Sequence, residues 1–226
     1  ANFQAMSRCA EIIKKDSRNR LVVVSASAGV TNHLVRLCQE NVPEQERADI
    51  IADISRIQFA ITEHLPNAEA LNVELEQLLE ALANCAQQQA SQHNLQNSDE
   101  ILSFGEQMSS RIFAKVLKFV GVNGHYFDAR QVMKTDDLYG KAQVNLEQLA
   151  KHAQEQLLPK LTEKVIVTQG FIGSDEQGNT TTLGRGGSDY SAALLAESIQ
   201  ANNLSIWTDV VGIYTTDPRI TEPARS

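Results

Sequence analysis

The chain has 226 residues, of which 42% are hydrophobic, a composition that excludes a mainly disordered protein and allows one large domain or little more. Its formal net charge of -8 opposes contact with a phosphate backbone, so we expect no nucleic-acid partner. No apolar run is long enough to cross a membrane, and the N-terminal stretch lacks a signal-peptide pattern. We therefore expect a cytoplasmic protein without a membrane partner.

Cysteine and histidine follow no pattern of a cross-linked or metal-bound fold. The three cysteines, Cys9, Cys38 and Cys85, are an odd number without CxxC spacing, and they predict buried free thiols. The five histidines are scattered singly, so we expect no structural metal.

The N-terminal part begins with a helix, a strand and a short loop. An apolar stripe predicts a helix over 3–16, and the β-branched run 21–24 is typical of a strand buried on both faces of a parallel sheet. The small-residue loop 25–32 follows, and Thr31 is placed to cap the next helix. Strand, small-residue loop and helix together form a common ligand-binding layout.

A block of helices occupies residues 43–120. The apolar periodicity is helical from 43 to about 86, with Pro66 separating two helices. The stretch 87–97 is rich in Gln, Ser and Asn and predicts a surface connection before a long helix over about 98–119.

Strand patterns return in the C-terminal part. The predicted elements are strands over 125–128, 165–173 and 204–209, a hairpin over 174–182, a helix over 146–158 that ends before Pro159, and a helix over about 189–200. Strands that alternate with helices predict an α/β domain with a mainly parallel sheet. The helical block 43–120 is then either an insertion or a lid over that sheet.

The loop Gly184-Arg185-Gly186-Gly187-Ser188-Asp189 combines features of an anion site. Glycines let a backbone approach an anion, the following helix has a positive N-terminus, and Arg185 can hold a carboxylate through two parallel hydrogen bonds. The loop lacks the spacing of a Walker loop and of a dinucleotide-binding motif. A tight turn before a helix capped by Asp189 is the structural alternative.

Other polar residues are candidates for the same chemistry. Hydroxyls of Ser25 and Thr31, after a predicted strand, suit a carboxylate or phosphate, or they serve only to pack and cap the loop. Glu106 follows a glycine inside an apolar-faced helix, which indicates a pocket or an ordinary solvated acid. The aromatic, acidic and basic residues from Trp207 to Arg219 suit a nucleotide or an ordinary loop.

At these residues the sequence resembles a known family. The stretch VIVTQGFIGSDEQGNTTTLGRGGSDYSAALLA (165–196) is similar to the central motif of aspartate kinases, which phosphorylate the side-chain carboxylate of aspartate with ATP. Further stretches agree in the same order: VVVSASAGVTN (22–32), SFGEQMSSRIF (103–113), FDARQVMKTDD (127–137) and WTDVVGIYTTDPR (207–219). The residues of these stretches are most similar to the monofunctional, lysine-sensitive bacterial type.

The resemblance implies a fold and a reaction. The fold is the amino-acid-kinase (carbamate-kinase-like) fold, a mainly parallel sheet between helices, over residues 1–226, with 43–120 as a helical substrate-side subregion. The reaction transfers the γ-phosphoryl group of ATP to the β-carboxylate of L-aspartate, the first step of lysine, threonine and methionine biosynthesis. The intact enzyme is expected to be a homodimer, and ATP carries Mg2+.

The resemblance also implies a role for individual residues. Arg185 would hold the α-carboxylate of aspartate, Glu106 would face its ammonium group, and Asp189 would organise the transfer site. The remaining substrate-pocket residues are Ser25, Thr31, Gly186, Gly187 and Ser188, and the residues expected to contact ATP are Thr208, Asp209, Tyr214 and Arg219.

The chain departs from the family pattern at both ends. It begins after the first strand and the Lys-Phe-Gly-Gly loop, whose lysine stabilises the moving phosphate, and it stops before the paired ACT regulatory modules. We therefore expect a fragment that keeps most of the aspartate pocket, exposes a sheet edge and is nearly inactive.

Two other functions stay open from the sequence. One is a kinase for glutamate, acetylglutamate or a nucleoside monophosphate. Arg185 together with Glu106 favours a free amino acid, because acylation would remove the positive partner of Glu106. The other is a non-catalytic ligand-binding fragment, which would bind neither aspartate nor Mg-ATP in a calorimetric titration.

Overall fold

The computed structural model describes residues 2–184 and 186–207, and helices alternate with strands along them. The helices are α1 (Phe3–Lys15), α2 (Val30–Leu37), α3 (Glu44–Thr62), α4 (Glu69–Ser91), α5 (Leu95–Phe119), α6 (Leu146–His152) and α7 (Gly187–Ser198). The strands are β1 (Leu21–Val24), β2 (Gly124–Tyr126), β3 (Val165–Gln169), β4 (Ile172–Ser174) and β5 (Thr180–Thr182). Within these residues, no helix is both long and apolar enough to cross a membrane.

Strands β1, β2 and β3 form the parallel sheet that the sequence predicts. The sheet has the order β1-β3-β2, and the central strand β3 pairs in parallel with both neighbours. All three strands therefore end at one edge, where Ser25, Phe127 and Gly170 follow them. In open α/β sheets this carboxyl edge is where ligands bind.

Alternate residues of the sheet enter two separate cores, because successive side chains of a strand point to opposite faces. Val22 and Val24 pack against the larger core, which α1 to α5 supply. Leu21 and Val23 pack against a smaller core formed with α6, α7 and the residues between α6 and β3. The helical block 43–120 thus covers one face of the sheet, and α6 and α7 cover the other.

The predicted strand 165–173 is two strands in the structure. β3 ends at Gln169, and β4 begins at Ile172 and pairs antiparallel with β5 in the predicted hairpin. Between the strands, Phe171 has a left-handed φ of 70°, a conformation that a bulky side chain rarely adopts. The continuous strand was a wrong prediction because an apolar β-branched pattern does not reveal a turn of this kind.

The predicted surface connection 87–97 is mostly helical. α4 continues to Ser91 and α5 begins at Leu95, so only three residues connect them. Gln89 explains the extension, since it is 2% exposed and its amide donates to the Cys38 carbonyl at 3.1 Å and to the Ser98 hydroxyl at 2.9 Å. A polar composition was compatible with a packed helix because these amide groups find buried partners.

Two C-terminal predictions are also wrong. Pro159 does not end the helical segment: α6 ends at His152, and the chain continues as a π turn (Ala153–Leu157) and a 3-10 turn (Leu158–Leu161) that contains this proline. Residues 204–207 do not form the predicted strand, and residues 208–209 lie outside the described residues.

The cysteines are free, as predicted, but they are not uniformly buried. Cys9 is exposed, whereas Cys38 and Cys85 are half-buried. Burial raises the pKa of the Cys38 thiol to about 12 and also raises the pKa of the Cys85 thiol. Both thiols therefore stay protonated at neutral pH, which lowers their nucleophilicity.

Gly105 lets α5 approach the loop after β1. A Cβ atom at this position would lie 2.7 Å from the Ala26 Cβ and 3.1 Å from the Leu34 Cδ1, well inside ordinary contact. Space, rather than backbone conformation, therefore requires glycine at this point of the helix.

We expect Gly105→Ala to lower the free energy of unfolding by about 1–3 kcal/mol, the cost of overpacking, although alanine ordinarily stabilises a helix interior by about 1 kcal/mol over glycine. Urea unfolding followed by circular dichroism measures the difference. Gln96→Ala, at an exposed position of the same helix, is the control and should stay within about 0.5 kcal/mol of wild type. A Gly105→Ala protein as stable as this control would show that α5 separates from the loop without cost.

Candidate active site

One face of α5 holds the end of β1. Glu106 Oε1 accepts a hydrogen bond of 3.1 Å from the Ala26 N–H, and Ser109 Oγ donates to the Ser25 carbonyl at 2.7 Å. Residues three apart lie on the same face of a helix, so both side chains reach the strand end from one side. The helix thereby fixes the point at which β1 leaves the sheet.

Glu106 is a buried carboxyl group with little support for a negative charge. Its side chain is 6% exposed, and burial raises its pKa to about 7, an effect that the hydrogen bond from the Ala26 N–H only partly offsets. None of the ion pairs that the described residues form includes Glu106. An incoming ammonium group would supply the charge that favours the ionised form.

The loop after β1 brings Ser25 and Thr31 to this edge. Gly29, with a left-handed φ of 87°, is the N-cap of α2, so the prediction that Thr31 caps the helix is wrong. Thr31 instead lies exposed in the first turn. Because a glycine cap has no side chain, the first-turn N–H groups of α2 receive no side-chain hydrogen bond from it and suit an anion.

A buried amide supports the same loop from α3. Ser27 Oγ donates to Gln58 Oε1 at 3.2 Å, and both side chains are buried. The Gln58 Nε2 atom finds no hydrogen-bond partner among residues 2–184 and 186–207. This contact holds the middle of the loop between Ser25 and Thr31.

Gly170 brings the end of β3 onto the first turn of α7. A Cβ atom on Gly170 would lie 2.7 Å from the Ser188 Cα, and the Gly170 N–H donates to the Val24 carbonyl at 3.0 Å. Gly186, with a left-handed φ of 73°, is the N-cap of α7. The alternative in which Asp189 caps this helix is therefore excluded, and Asp189 lies exposed in its first turn.

The structure places the described candidates around one edge of the sheet. Ser25, Glu106 and Ser188 lie at the ends of β1 and β3, and both glycine-capped helices begin beside them. The candidates in the first turns or caps of those helices are Thr31, Gly186, Gly187 and Asp189. The predicted residues that lie outside the described residues are Arg185, Thr208, Asp209, Tyr214 and Arg219.

Sequence reasoning missed Gln169, the last residue of β3. It is fully buried, its amide donates to Ser110 Oγ at 2.7 Å, and its side-chain carbonyl accepts from the Ala129 N–H at 2.8 Å. It therefore ties α5 to the ends of β3 and β2. The available signal was a polar residue at the end of an otherwise apolar strand.

An ion pair after β2 was also missed. Arg130 Nη2 and Asp128 Oδ2 are 2.7 Å apart, and Arg130 also donates to Thr180 Oγ1 at 2.9 Å and to Gln107 Oε1 at 3.3 Å. Burial opposes both charges, but the hydrogen bonds between the two groups prevail: the pKa of Asp128 is lowered and the pKa of Arg130 is raised. The pair links β2, α5 and the hairpin.

Two clefts lie elsewhere on the described residues, although the second reaches Phe127 and Asp128 after β2. One of about 350 Å³ has acidic walls that include Asp136, Asp137 and Glu176, and one of about 220 Å³ is lined in part by Lys160 and Lys164. Neither is lined by a described candidate residue. The acidic walls of the first would repel an anionic ligand.

The chain is similar to known proteins over its whole length. The profile of the Amino acid kinase family matches residues 1–226. The chain belongs to this family. It is 48% identical over 225 residues to lysine-sensitive aspartokinase 3 of Escherichia coli (strain K12), covering 100% of this chain and 50% of that protein. It is 37% identical to an aspartokinase of Chlamydia pneumoniae, covering 95% of this chain and 46% of that protein.

Solved structures agree with this assignment. The crystal structure of E. coli aspartokinase III in complex with aspartate and ADP (R-state) matches with a TM-score of 0.95 at 48% identity, covering 100% of this chain and 50% of that chain. The complex with lysine and aspartate (T-state) matches with a TM-score of 0.91. The predicted fold and the resemblance to aspartate kinases are thus confirmed. The chain spans about half the length of the relatives it matches.

We expect Glu106→Gln to stabilise this kinase-family fold at pH 8 but not at pH 4.5. The carboxyl pKa is 4.5 as a reference and about 7 in the folded protein, so between these values the unfolded chain loses a proton that the folded protein keeps. The stability contribution of Glu106 therefore falls as the pH rises through this window, to a full cost of about 3 kcal/mol above pH 7.

Urea unfolding of both proteins at pH 4.5 and pH 8 measures this effect. The amide that replaces the carboxyl group would still offer an oxygen to the Ala26 N–H, so the contact survives the substitution. Glu80→Gln, at an exposed position of α4, is the matched control and should follow the wild-type pH dependence. Identical pH dependence of wild type and Glu106→Gln would show that Glu106 carries no raised pKa.

Proposed function

We propose that this chain is the catalytic part of an aspartate kinase, which transfers the γ-phosphoryl group of ATP to the β-carboxylate of L-aspartate. The observation that carries the proposal is Glu106, a buried carboxyl group at the carboxyl edge of the sheet with a single backbone donor from the loop after β1. Such a group is suited to pair with the ammonium group of a free amino acid. The aspartate and ADP in the matched E. coli structure support the same conclusion.

The remaining substrate contacts follow from the chemistry of aspartate. Arg185 holds the α-carboxylate with its planar pair of donors, as a guanidinium does best. Ser25, Thr31 and the residues from Gly186 to Ser188 complete the pocket with hydroxyl and backbone N–H groups. The two glycine-capped helix starts add positive potential for the anionic groups.

The transfer itself requires positioning and charge neutralisation. The β-carboxylate is ionised at pH 7, so it attacks without a general base. An oxygen of this carboxylate bonds to the γ-phosphorus while the bond from that phosphorus to the bridging oxygen breaks, which gives an acyl phosphate and ADP. Asp189, in the first turn of α7, organises this region.

The nucleotide and its metal complete the active site. Thr208, Asp209, Tyr214 and Arg219 contact ATP, and Mg2+, when bound, would neutralise charge on its phosphates. The described residues contain no group of three or more His, Cys, Asp or Glu side chains that could hold a metal. The donor set at the strand ends, hydroxyls and glycine backbone, suits phosphate oxygens, so Mg2+ would enter the site with the nucleotide.

Acylated amino acids are poorer substrates for this site. An N-acyl group removes the positive charge that Glu106 would pair with and leaves a buried carboxyl beside a neutral amide. The proposal therefore favours aspartate over acetylglutamate.

The complete polypeptide acts as a cytoplasmic homodimer in lysine, threonine and methionine biosynthesis, and light scattering of that polypeptide tests the dimer.

We expect L-aspartate to bind more tightly at pH 8 than at pH 6. Below about pH 7 Glu106 holds a proton, and this proton must leave before the carboxylate can pair with the ammonium group. The dissociation constant should therefore rise by up to about tenfold for each pH unit below 7. Calorimetry at pH 7 in two buffers of different ionisation enthalpy should also detect proton release on binding.

Glu106→Gln is the matching variant for this titration. It should weaken aspartate binding at least about 30-fold at pH 8, because a neutral amide replaces the charge partner of the ammonium group, and it should remove the pH dependence. Pairing of Glu106 with the ligand would be disproved by a variant that keeps both the affinity and the proton release.

We expect Arg185→Ala to raise the KM for aspartate at least about 100-fold in the complete polypeptide, since a carboxylate loses its bidentate partner. The KM for ATP should change less than about threefold. A coupled ADP-release assay gives both constants. Arg56→Ala, which removes an exposed arginine of α3, is the control and should leave both unchanged. The pocket is in the wrong place if the Arg185→Ala protein takes up aspartate as wild type does.

A further inference from the structure

A buried acid outside the substrate pocket faces the segment that carries the glycine loop (residues 184–188). We infer, on the basis of the proposed function, that Asp99 is a positioning residue that sets the affinity for aspartate by fixing the start of this loop. It acts through Thr182 and Gly140, without touching the substrate.

Asp99 holds two segments that are distant from it in the sequence. Its carboxylate, 1% exposed in α5, accepts the Gly140 N–H at 2.9 Å, the Thr182 N–H at 2.8 Å and the Thr182 hydroxyl at 2.8 Å. Each oxygen receives at least two of these contacts, because the Gly140 N–H is shared between them. The carboxylate thus fixes Thr182, the last residue of β5, by accepting both the backbone N–H and the side-chain hydroxyl of that residue.

Thr182 is two residues before the glycine loop begins. Its carbonyl accepts the Ala142 N–H at 2.9 Å, and the next residue, Leu183, donates its N–H to the Phe171 carbonyl at 2.9 Å. Gly184 then passes over the Gly140 turn, where a Cβ atom would lie 3.3 Å from the Gly140 carbonyl oxygen. A shift of Thr182 or Gly140 would therefore be passed directly to the first residue of the loop.

The other end of the loop has its own attachment. Ser191 Oγ, fully buried in α7, accepts the Phe171 N–H at 2.9 Å and donates to the Gly187 carbonyl. The first turn of α7 is thereby fixed to the residues after β3. Both ends of the loop are thus fixed. Asp99 positions the part before residue 185, and Ser191 positions the part after it.

The chain offers a matched control for the loss of a buried carboxylate. Asp175 is 4% exposed and also accepts three donors: the Tyr139 hydroxyl at 2.8 Å, the Asn179 N–H at 2.8 Å and the Asn179 amide at 3.0 Å. It lies at the turn end of the β4–β5 hairpin, whereas Thr182 pairs with Ile172 at the opposite end. Loss of its charge should reduce stability without displacing the glycine loop.

The test compares Asp99→Asn, Thr182→Val, Thr182→Ser and Asp175→Asn in the complete polypeptide. Thr182→Val keeps the side-chain shape and the backbone N–H but removes the hydroxyl donor, and Thr182→Ser restores it. The measurements are the melting temperature, kcat and the KM values for aspartate and ATP, with calorimetric titration of aspartate alone.

We expect Thr182→Val to raise the KM and the dissociation constant for aspartate about 3–10-fold, and Asp99→Asn to raise them further. The kcat and the KM for ATP should stay within about twofold of wild type, and Thr182→Ser should restore the aspartate affinity. Asp175→Asn should lower the melting temperature and leave the KM for aspartate unchanged.

Two results would overturn the inference. One is a Thr182→Val protein that is less stable but has the wild-type KM for aspartate, as expected for Asp175→Asn. The other is an equal rise of the KM for aspartate in Asp175→Asn, which would make the effect a general consequence of lost stability. Failure of the proposed function itself is distinguishable, because Arg185→Ala would then bind aspartate normally whatever the Asp99 variants do.

Discussion

The close approach of α5 to the end of β1 is the contact on which the rest of the site depends. Gly105 leaves no room between the helix and Ala26, and the next residue, Glu106, accepts the Ala26 N–H. One turn further along the helix, Ser110 accepts the amide of Gln169 at the end of β3. One helix therefore sets where two parallel strands stop, and with that the start of both loops that leave the sheet at this edge.

Much of this fold could be predicted because its buried strands and long helices leave strong local patterns. The Val-rich run of β1 and the apolar run of β3 identify the parallel sheet, and helical periodicity identifies α3 to α5. The boundaries could not be predicted in the same way. Gln89 extends α4 through contacts with residues far along the chain, and Phe171 interrupts a strand in a conformation that its residue type disfavours.

In the candidate site, too, local sequence patterns predict some residues and not others. Ser25 could be placed from sequence because it follows a predicted strand of the parallel sheet, and the glycine loop because its glycines precede a predicted helix. Gln169 and Asp99 could not, since their partners lie 40 and 83 residues away and no spacing rule connects them. Their roles depend on which segments the fold brings together, and a single sequence carries little information on that point.

Both helices at this edge begin at a glycine, although each has a polar residue in its first turn. Thr31 and Asp189 are residue types that favour N-cap positions, yet Gly29 and Gly186 occupy those positions in left-handed conformations. A polar N-cap would direct its own oxygen at the first-turn N–H groups and compete with a bound anion. With glycine at both caps, no cap side chain occupies these groups, although the Val30 and Gly187 N–H groups donate to the Ser27 and Gly184 carbonyls. Thr31 and Asp189 lie two and three residues after the caps, inside the helices.

Two buried acids on α5 differ in the number of hydrogen-bond donors that the fold offers them. Burial raises the pKa of both, but Asp99 is offered three donors by Gly140 and Thr182, whereas Glu106 is offered one N–H by the loop after β1. A carboxylate whose oxygens are already filled has nothing left to offer a substrate and acts as an anchor. A carboxyl group buried with a single donor destabilises the folded protein until a cation completes its environment. The proposed binding of an amino acid at Glu106 would offset that cost, and the number of donors, rather than the depth of burial, distinguishes Glu106 from Asp99.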